Sequence, residues 1–335
     1  MKPTIKDVAK KANVSVATVS RILNNLPGYS ETTKIKVDKI IKELDYHPNS
    51  IARGLANKNI KTIAILLPEV STTFFSEIYK GMEKMAYTQG YSLLICSTGI
   101  NGIKTEEYIS ILKQRQIDGV IITSSPITEK DYNSIKTLDI PCILIATMSY
   151  KYQFPYVKIN DTHAAYAATE YLIKKGHKKI AMISGNKDDF ISGTTRVLGF
   201  KRAHIDYNIK LDESLIEYGD FSFDSGILAM DNLLMTKKNE FTAVFAASDD
   251  MAIGALNSAY NNNIKIPTDL SIIGYDNTQL AKMSIPPLTT IAQPFFEMGY
   301  KSVEKLINMI ESKVVEESII LPHSIIKRNS VRNIT

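Results

Sequence analysis

"TIKDVAKKANVSVATVSRILNN", residues 4–25, decides how the front of this chain folds. Thr4 is placed to cap a helix, with Asp7 at the third helical position as its capping-box partner. Ile5, Val8, Ala9 and Ala12 then repeat at helical spacing, so one face is apolar. Asn13-Val14-Ser15 interrupts the pattern, and Ser15 caps a second helix whose inward stripe is Val19, Ile22 and Leu23. Leu26-Pro27-Gly28 closes that helix. Ser30 caps a third, with Val37, Ile40, Ile41 and Leu44 on its core face. Three short amphipathic helices with a tight turn between the first two describe a helix-turn-helix bundle.

The second helix carries small residues on its outer face, Val16, Ala17 and Ser20, together with Arg21. A helix entering a DNA major groove about 12 Å wide needs such a face, so that its backbone can approach the base edges. Hydroxyls suit phosphates, Ala and Val methyls suit the thymine methyl, and Arg21 suits guanine. A protein-binding bundle is the competing reading. Charge favours DNA: residues 1–60 hold 11 Lys/Arg against 5 Asp/Glu, whereas the other 275 hold 29 against 30. The basic excess is confined to the head, the footprint of a nucleic-acid-binding module on a neutral body.

This segment resembles, nearly position for position, the N-terminal signature of the LacI/GalR transcriptional repressors. The "VSVATVSR" core is closer to the galactose-repressor and catabolite-control branches than to the lactose or purine ones. The resemblance implies DNA contacts from Thr4, Ser15, Val16, Ala17, Thr18, Ser20, Arg21, Asn24 and Tyr29. "YHPNSIARGLANKN", residues 46–59, follows. The residue before Pro48 must be extended. Asn49 then caps a two-turn segment that is too short to be stable alone, and reads as a linker. In the family that segment is a hinge helix which orders on operator DNA. Leu55 matches the leucine that wedges into the minor groove, a general device for kinking DNA, and Asn49, Ala52 and Arg53 match its surroundings. A passive linker is the alternative. The expected layout is a DNA-binding domain at 1–46, a hinge at 47–60 and an effector-binding and dimerisation domain at 61–335.

Beyond residue 60, apolar runs alternate with helical patterns. "TIAILLP" (62–68), "SLLICST" (92–98), "GVIIT" (119–123), "CILIA" (142–146), "KIAMISG" (179–185), "AVFAAS" (243–248) and "LSIIGYD" (270–276) read as parallel strands buried on both faces. The fold class is therefore an all-α head with an α/β body, doubly wound. A faint repeat, "KMAYTQGYSLLICS" against "YLIKKGHKKIAMIS", predicts two similar lobes. Lobe one is expected to span about 61–160 plus 291–320, and lobe two 161–290 plus 321–335. The resemblance extends over essentially the whole chain and implies a body like that of periplasmic binding proteins.

Ligands of open α/β sheets bind beyond the carboxyl ends of the strands, and Phe74, Phe75, Phe190, Arg196, Phe221, Ser248, Asp276 and Gln293 lie there in sequence. Aromatic faces with Arg, Asp and amide groups suit a polyhydroxylated ring. They also suit a flat nucleobase, and that alternative stays open beside the sugar. The blocks "TTRVLGF", "GDF", "SDDMAIGAL", "IGYDN" and "IPPLTTIAQP" resemble the family's effector domain. They imply that Arg196, Phe221, Asp276 and Gln293 line the pocket, with Phe74 and Phe75 closing one wall. Glu304 stands where catabolite-control relatives carry an arginine for a phosphorylated carrier protein. Like charge there argues against a global catabolite regulator.

Other classes are disfavoured. His47, His163, His177, His204 and His323 are scattered, and no metal-ligand spacing, Walker-type loop or G-x-S-x-G occurs, so neither an enzyme nor a cofactor is expected. Cys96 and Cys142 lie in apolar runs and read as reduced core residues. No h-region opens the chain and no run of 18 apolar residues occurs. A secreted solute-binding protein is thereby disfavoured, and a cytoplasmic, nucleoid-associated protein is expected. The expected partners are operator DNA with a pseudo-palindromic site and central CpG, a small-molecule effector and a second copy of the chain, with no membrane.

Overall fold

The structure, a computed structural model, describes residues 3–23, 26–46, 60–70, 73–99, 102–237 and 240–335. The chain divides into two compact units, residues 1–60 and 61–335.

In the first unit the helices are α1 (Ile5–Ala12), α2 (Val16–Leu23) and α3 (Glu31–Glu43). The caps form as the sequence anticipates. The Asp7 carboxylate accepts from the Thr4 backbone N–H at 2.8 Å and from its hydroxyl at 2.7 Å. Ser15 Oγ accepts from the Thr18 N–H at 3.0 Å, and Ser30 Oγ from the Thr33 N–H at 3.2 Å. Asn13 takes the left-handed conformation that lets α1 end and the chain turn. Val8, Ala9, Ala12, Val19, Ile22, Val37 and Ile40 form the core.

The second unit is built on two six-stranded sheets. The first contains β1 (Thr62–Leu67), β2 (Ser92–Ser97), β3 (Gly119–Thr123), β4 (Cys142–Ile145), β5 (Tyr156–Ile159) and β11 (Ile319–Leu321). The second contains β6 (Ile180–Ser184), β7 (Ile216–Tyr218), β8 (Ala243–Ala246), β9 (Ser271–Asp276), β10 (Thr289–Ala292) and β12 (Ser324–Ile326). The order is β11-β5-β4-β3-β1-β2 in one and β12-β10-β9-β8-β6-β7 in the other. These are the same arrangement, so the faint sequence repeat marks a structural one. Every pairing is parallel except β10 with β12. The chain passes between sheets after Ile159, after Ala292 and after Leu321.

In sheet one the central strands are buried along almost their whole length, which is why they read as unbroken apolar runs. Helix α4 (Thr73–Thr88) packs against α12 (Phe295–Ser312) on one face of that sheet. Gly81 and Gly299 permit this crossing. A Cβ at Gly81 would sit 1.9 Å from the Phe296 carbonyl oxygen, and one at Gly299 2.0 Å from that of Ile78. On the other face lie α5 (Thr105–Gln114) and α6 (Glu129–Lys136) over Leu66, Val120, Ile122 and Leu144. Sheet two is covered by α7 (Asp161–Lys174), α8 (Gly193–Asp206), α9 (Phe223–Lys237) and α10 (Asp249–Asn261), with the short α11 (Gln279–Met283) beside α10. Among the described residues, no helix is long and apolar enough to cross a membrane. Cys96 and Cys142 are free and buried, and burial pushes the Cys142 thiol well above its ordinary value.

Candidate functional site

The loops at the carboxyl ends of the second sheet's strands gather most of the residues singled out in the sequence. Arg196, in the first turn of α8, is 7% exposed. Its Nε and Nη2 donate to Asp161 Oδ1 at 3.1 and 3.0 Å, and its Nη1 donates to the Ala247 carbonyl at the end of β8. The guanidinium lies over the Tyr275 ring at 3.8 Å and within 5.5 Å of the Phe221 ring centre. Burial opposes its charge, but Tyr275, Asp161 and Asp276 hold its pKa above the ordinary arginine value.

Asp161 is the anchor of this arrangement. One carboxylate oxygen takes both Arg196 bonds and the Tyr275 hydroxyl at 3.0 Å, and the other pairs with Lys158 Nζ at 3.1 Å. Asp161 begins α7 directly after the first crossover, whereas Lys158 belongs to β5 of the other sheet. The anchor therefore straddles the junction of the lobes. Sequence reasoning passed over Lys158, Asp161 and Tyr275. Asp161 follows Asn160, whose side chain caps α7 by accepting from the His163 N–H at 3.1 Å, and an acid in the first helical turn is ordinary. Lys158 had no signal, because a buried lysine is recognisable only with its partner in view.

Asp276 ends β9, with φ at 120°, a region that disfavours side chains. It accepts from Gln293 Nε2 at 2.8 Å, so the end of β9 is tied to the second crossover. Burial raises its pKa well above the carboxylate norm and the charge of Asp249 adds to this, against the opposing pull of Arg196. Phe221 is also held at positive φ, 71°. Its ring lies flat on the backbone at the end of β6, where a Cβ on Gly185 would come 1.9 Å from it. Ser248 donates its hydroxyl to the Phe221 carbonyl at 3.2 Å and caps α10 by accepting from the Met251 N–H at 3.1 Å. Two strained backbones side by side, each fixed by neighbouring groups, are characteristic of a ligand site.

The remaining aromatic residues are placed differently. Phe74 is half-buried in the first turn of α4, 5.8 Å from Phe295. Phe75, one residue on, points into the core of lobe one beside Tyr79 and is 3% exposed. Successive helical residues differ by about 100°, so the two rings point in different directions. Phe190 is 68% exposed on the loop leading into α8.

Asp249 lies beneath the site, fully buried. It accepts from the Thr278 N–H at 2.7 Å, the Thr278 hydroxyl at 3.1 Å and the Thr290 hydroxyl at 2.6 Å. Burial outweighs these bonds and pushes its pKa up to about 7. Asp250, the next residue, accepts from Thr73 Oγ1 of lobe one at 3.1 and 3.3 Å.

In the head, Thr4, Ser15, Val16, Ala17 and Arg21 are exposed, and Thr18 and Ser20 half-buried. Tyr29 packs on the head core. The Arg21 side chain lies along Gly28, where a Cβ would approach Nη1 to 3.3 Å. Asn24, Asn49, Ala52, Arg53 and Leu55, with the hinge segment, lie outside the described residues.

Two family profiles match this chain. The one described as bacterial regulatory proteins, lacI family, covers residues 4–49. The one described as periplasmic binding proteins and sugar binding domain of LacI family covers residues 60–329. Catabolite control protein A of Priestia megaterium is 36% identical over 333 residues, 99% of this chain and all of that one. A solved complex of the transcriptional regulator CelR with cellobiose is 30% identical, with a TM-score of 0.76 over 98% of this chain and 99% of that one. The lac repressor dimer, solved with operator and the anti-inducer ONPF, is 27% identical, with a TM-score of 0.88 over 99% of this chain and all of that one.

Proposed function

Because the chain belongs to the LacI family of bacterial transcription regulators, we propose that it acts as a dimeric repressor whose hold on its operator is set by a sugar bound between the lobes of its body. It is a regulator of transcription and not an enzyme, with a helix-turn-helix head and an effector-binding body. The head occupies residues 1–46, and 47–60 is the hinge that carries the Leu55 wedge. Thr4, Ser15 and the outer face of α2 contact DNA, and two heads related by a twofold axis read a pseudo-palindrome with a central CpG.

One observation carries the effector reading. Arg196, Phe221, Asp276 and Gln293 converge from four separate elements at one set of strand ends, with strained backbone at Phe221 and Asp276. Nε, Nη1 and Nη2 of Arg196 each give one bond to the protein, which leaves two of its five N–H groups for a ligand. Guanidinium donors beside a carboxylate and a ring face suit adjacent hydroxyls on a carbohydrate. The description of the matching family domain and the cellobiose complex of a relative support the same class. Glu304 is paired with Lys301 at 2.8 Å, which fits a regulator of a local sugar-utilisation operon better than one that docks a phosphorylated carrier.

Thermal denaturation in the presence of sugars, sugar phosphates and nucleobases tests the reading, since a ligand bound only by the folded state raises the midpoint by mass action. A sugar is expected to raise it in the parent and not in Asp276→Ala. A nucleobase that raises it while no sugar does would replace the sugar reading.

A further inference from the structure

We propose that Thr73 and Asp250 form a latch between the two lobes that holds them closed when no ligand is bound. The inference does not depend on which effector the protein takes.

The three crossovers leave or enter β5, β10, β11 and β12. In each sheet those strands occupy one edge. Rotation of one lobe against the other therefore turns about that edge. Thr73 begins α4, which follows β1, and β1 lies three places from β5. Asp250 lies in the first turn of α10, which follows β8, two places from β10. In lobe one the contact adjoins the second crossover, since Phe74 stands 5.8 Å from Phe295; in lobe two it lies about 10 Å, two strand spacings, from β10. The bond therefore ties the lobes by side chains near a place where the chain itself passes between them.

The chemistry also distinguishes it from an incidental contact. The Thr73 hydroxyl donates to both Asp250 oxygens, at 3.1 and 3.3 Å. An acid in the first turn of a helix ordinarily serves its own N-terminus. Asp250 instead accepts from the side chain of the first residue of α4, a helix in the opposite lobe. Burial raises the Asp250 pKa, and the Thr73 bond works against that. Opening the cleft breaks a charge-assisted bond and separates the carboxylate from α4.

Spin labels on the full-length protein at the exposed positions Lys84 and Asn261, one in each lobe, report the inter-lobe distance by pulsed electron resonance. In the absence of ligand, Thr73→Val is expected to lengthen and broaden the distribution. The ratio of open to closed molecules should shift about tenfold, the size that a hydrogen bond to a charged group supports. Thr73→Ser, which keeps the hydroxyl, should restore the parent distribution. Asp250→Ala should open the cleft from the other side, and the double variant should open it no further than either single one. A parent-like distribution in both Thr73→Val and Asp250→Ala overturns the latch. Fully additive opening in the double variant overturns it as well, because the two residues would then act separately. Should Thr73→Val fail to fold, Asp250→Ala against the parent makes the same decision.

Discussion

Three groups on the Arg196 side chain, Nε, Nη1 and Nη2, are committed to Asp161 and the Ala247 carbonyl, so this residue supports the fold as well as any ligand. Arg196→Ala would leave Asp161 buried with only Lys158 and the Tyr275 hydroxyl as partners. Breaking a buried pair in this way costs about 3–5 kcal/mol, to be read as a fall in the chemical-denaturation midpoint. Asp276 is the cleaner probe of the site. Asp276→Asn keeps an acceptor for Gln293 and removes a charge that burial opposes. Its stability at pH 8 should equal or exceed the parent's, while calorimetry should show at least a tenfold loss of effector affinity. Unchanged affinity would move the site elsewhere. Asp249 yields a pH prediction. Its carboxyl is raised from 3.8 to about 7 in the fold, chiefly by burial, so the folded state holds this proton more tightly than the unfolded chain. Its contribution to stability is therefore most favourable below about pH 4, declines as the pH rises toward 7, and levels above that. Asp249→Asn should abolish the decline, so variant minus parent stability grows across that window. A flat difference from pH 4 to 7 would refute the assignment.

At the scale of elements, α2 and the α4–α12 pair make contrasting demands. Helix α2 holds Val19 and Ile22 in the head core and presents Val16, Ala17 and Arg21 outward. Arg21→Ala should therefore leave the head folded. It should cost about 1–3 kcal/mol of operator affinity and relax preference at the guanine it reads. Equal loss on operator and random DNA, measured by anisotropy, would make Arg21 a phosphate contact instead. The α4–α12 crossing has no slack, since the backbones meet at Gly81 and Gly299. Gly81→Ala should destabilise the body by about 1–3 kcal/mol or more as overpacking, visible as a lower melting temperature with operator contacts intact. The same contrast explains what the sequence made legible. Capped helices announce themselves because one capping residue suffices to specify each, and the seven apolar runs because no polar residue interrupts their centres, although β2 proves largely exposed or half-buried and β4 and β8 have only four residues each. Strands β5, β7, β10, β11 and β12 span three or four residues each. Such short strands, with Lys158, Glu217 or Thr289 among them, carry too little pattern to be seen. Of the proposed site, Arg196, Phe221, Asp276 and Gln293 could be read from the sequence only as separate strand ends. Its foundation was not legible, because Lys158, Asp161 and Tyr275 acquire meaning only when the crossover brings them together. The structure gives Phe74 and Phe75 different surroundings for a local reason, the turn of the helix that carries both.

For the whole molecule, the proposed reading of one site by two heads implies a steep dependence on symmetry. Scrambling one half of the pseudo-palindrome should cost far more than a single mismatch, each of which typically costs about 1–3 kcal/mol. A half-site bound as tightly as the full site in a titration would argue against a dimeric reader. Effector response and operator binding should also separate genetically: substitutions at Asp276 alter the first, and substitutions at Arg21 the second. The interleaved path of the chain, finally, governs the order in which the body can be made. Sheet one has five of its six strands by Ile159, yet α12, which covers Ile63, Ile121 and Ile143 together with α4, comes only at residues 295–312, and the edge strand β11 later still. While lobe two is being synthesised, the nascent lobe one stands half-clothed, with an apolar sheet face open to solvent and to chaperones. A ribosome stalled near residue 290 would therefore carry its less finished half at the front, and a nonsense mutation there should send the product to proteolysis through lobe one, the part translated first.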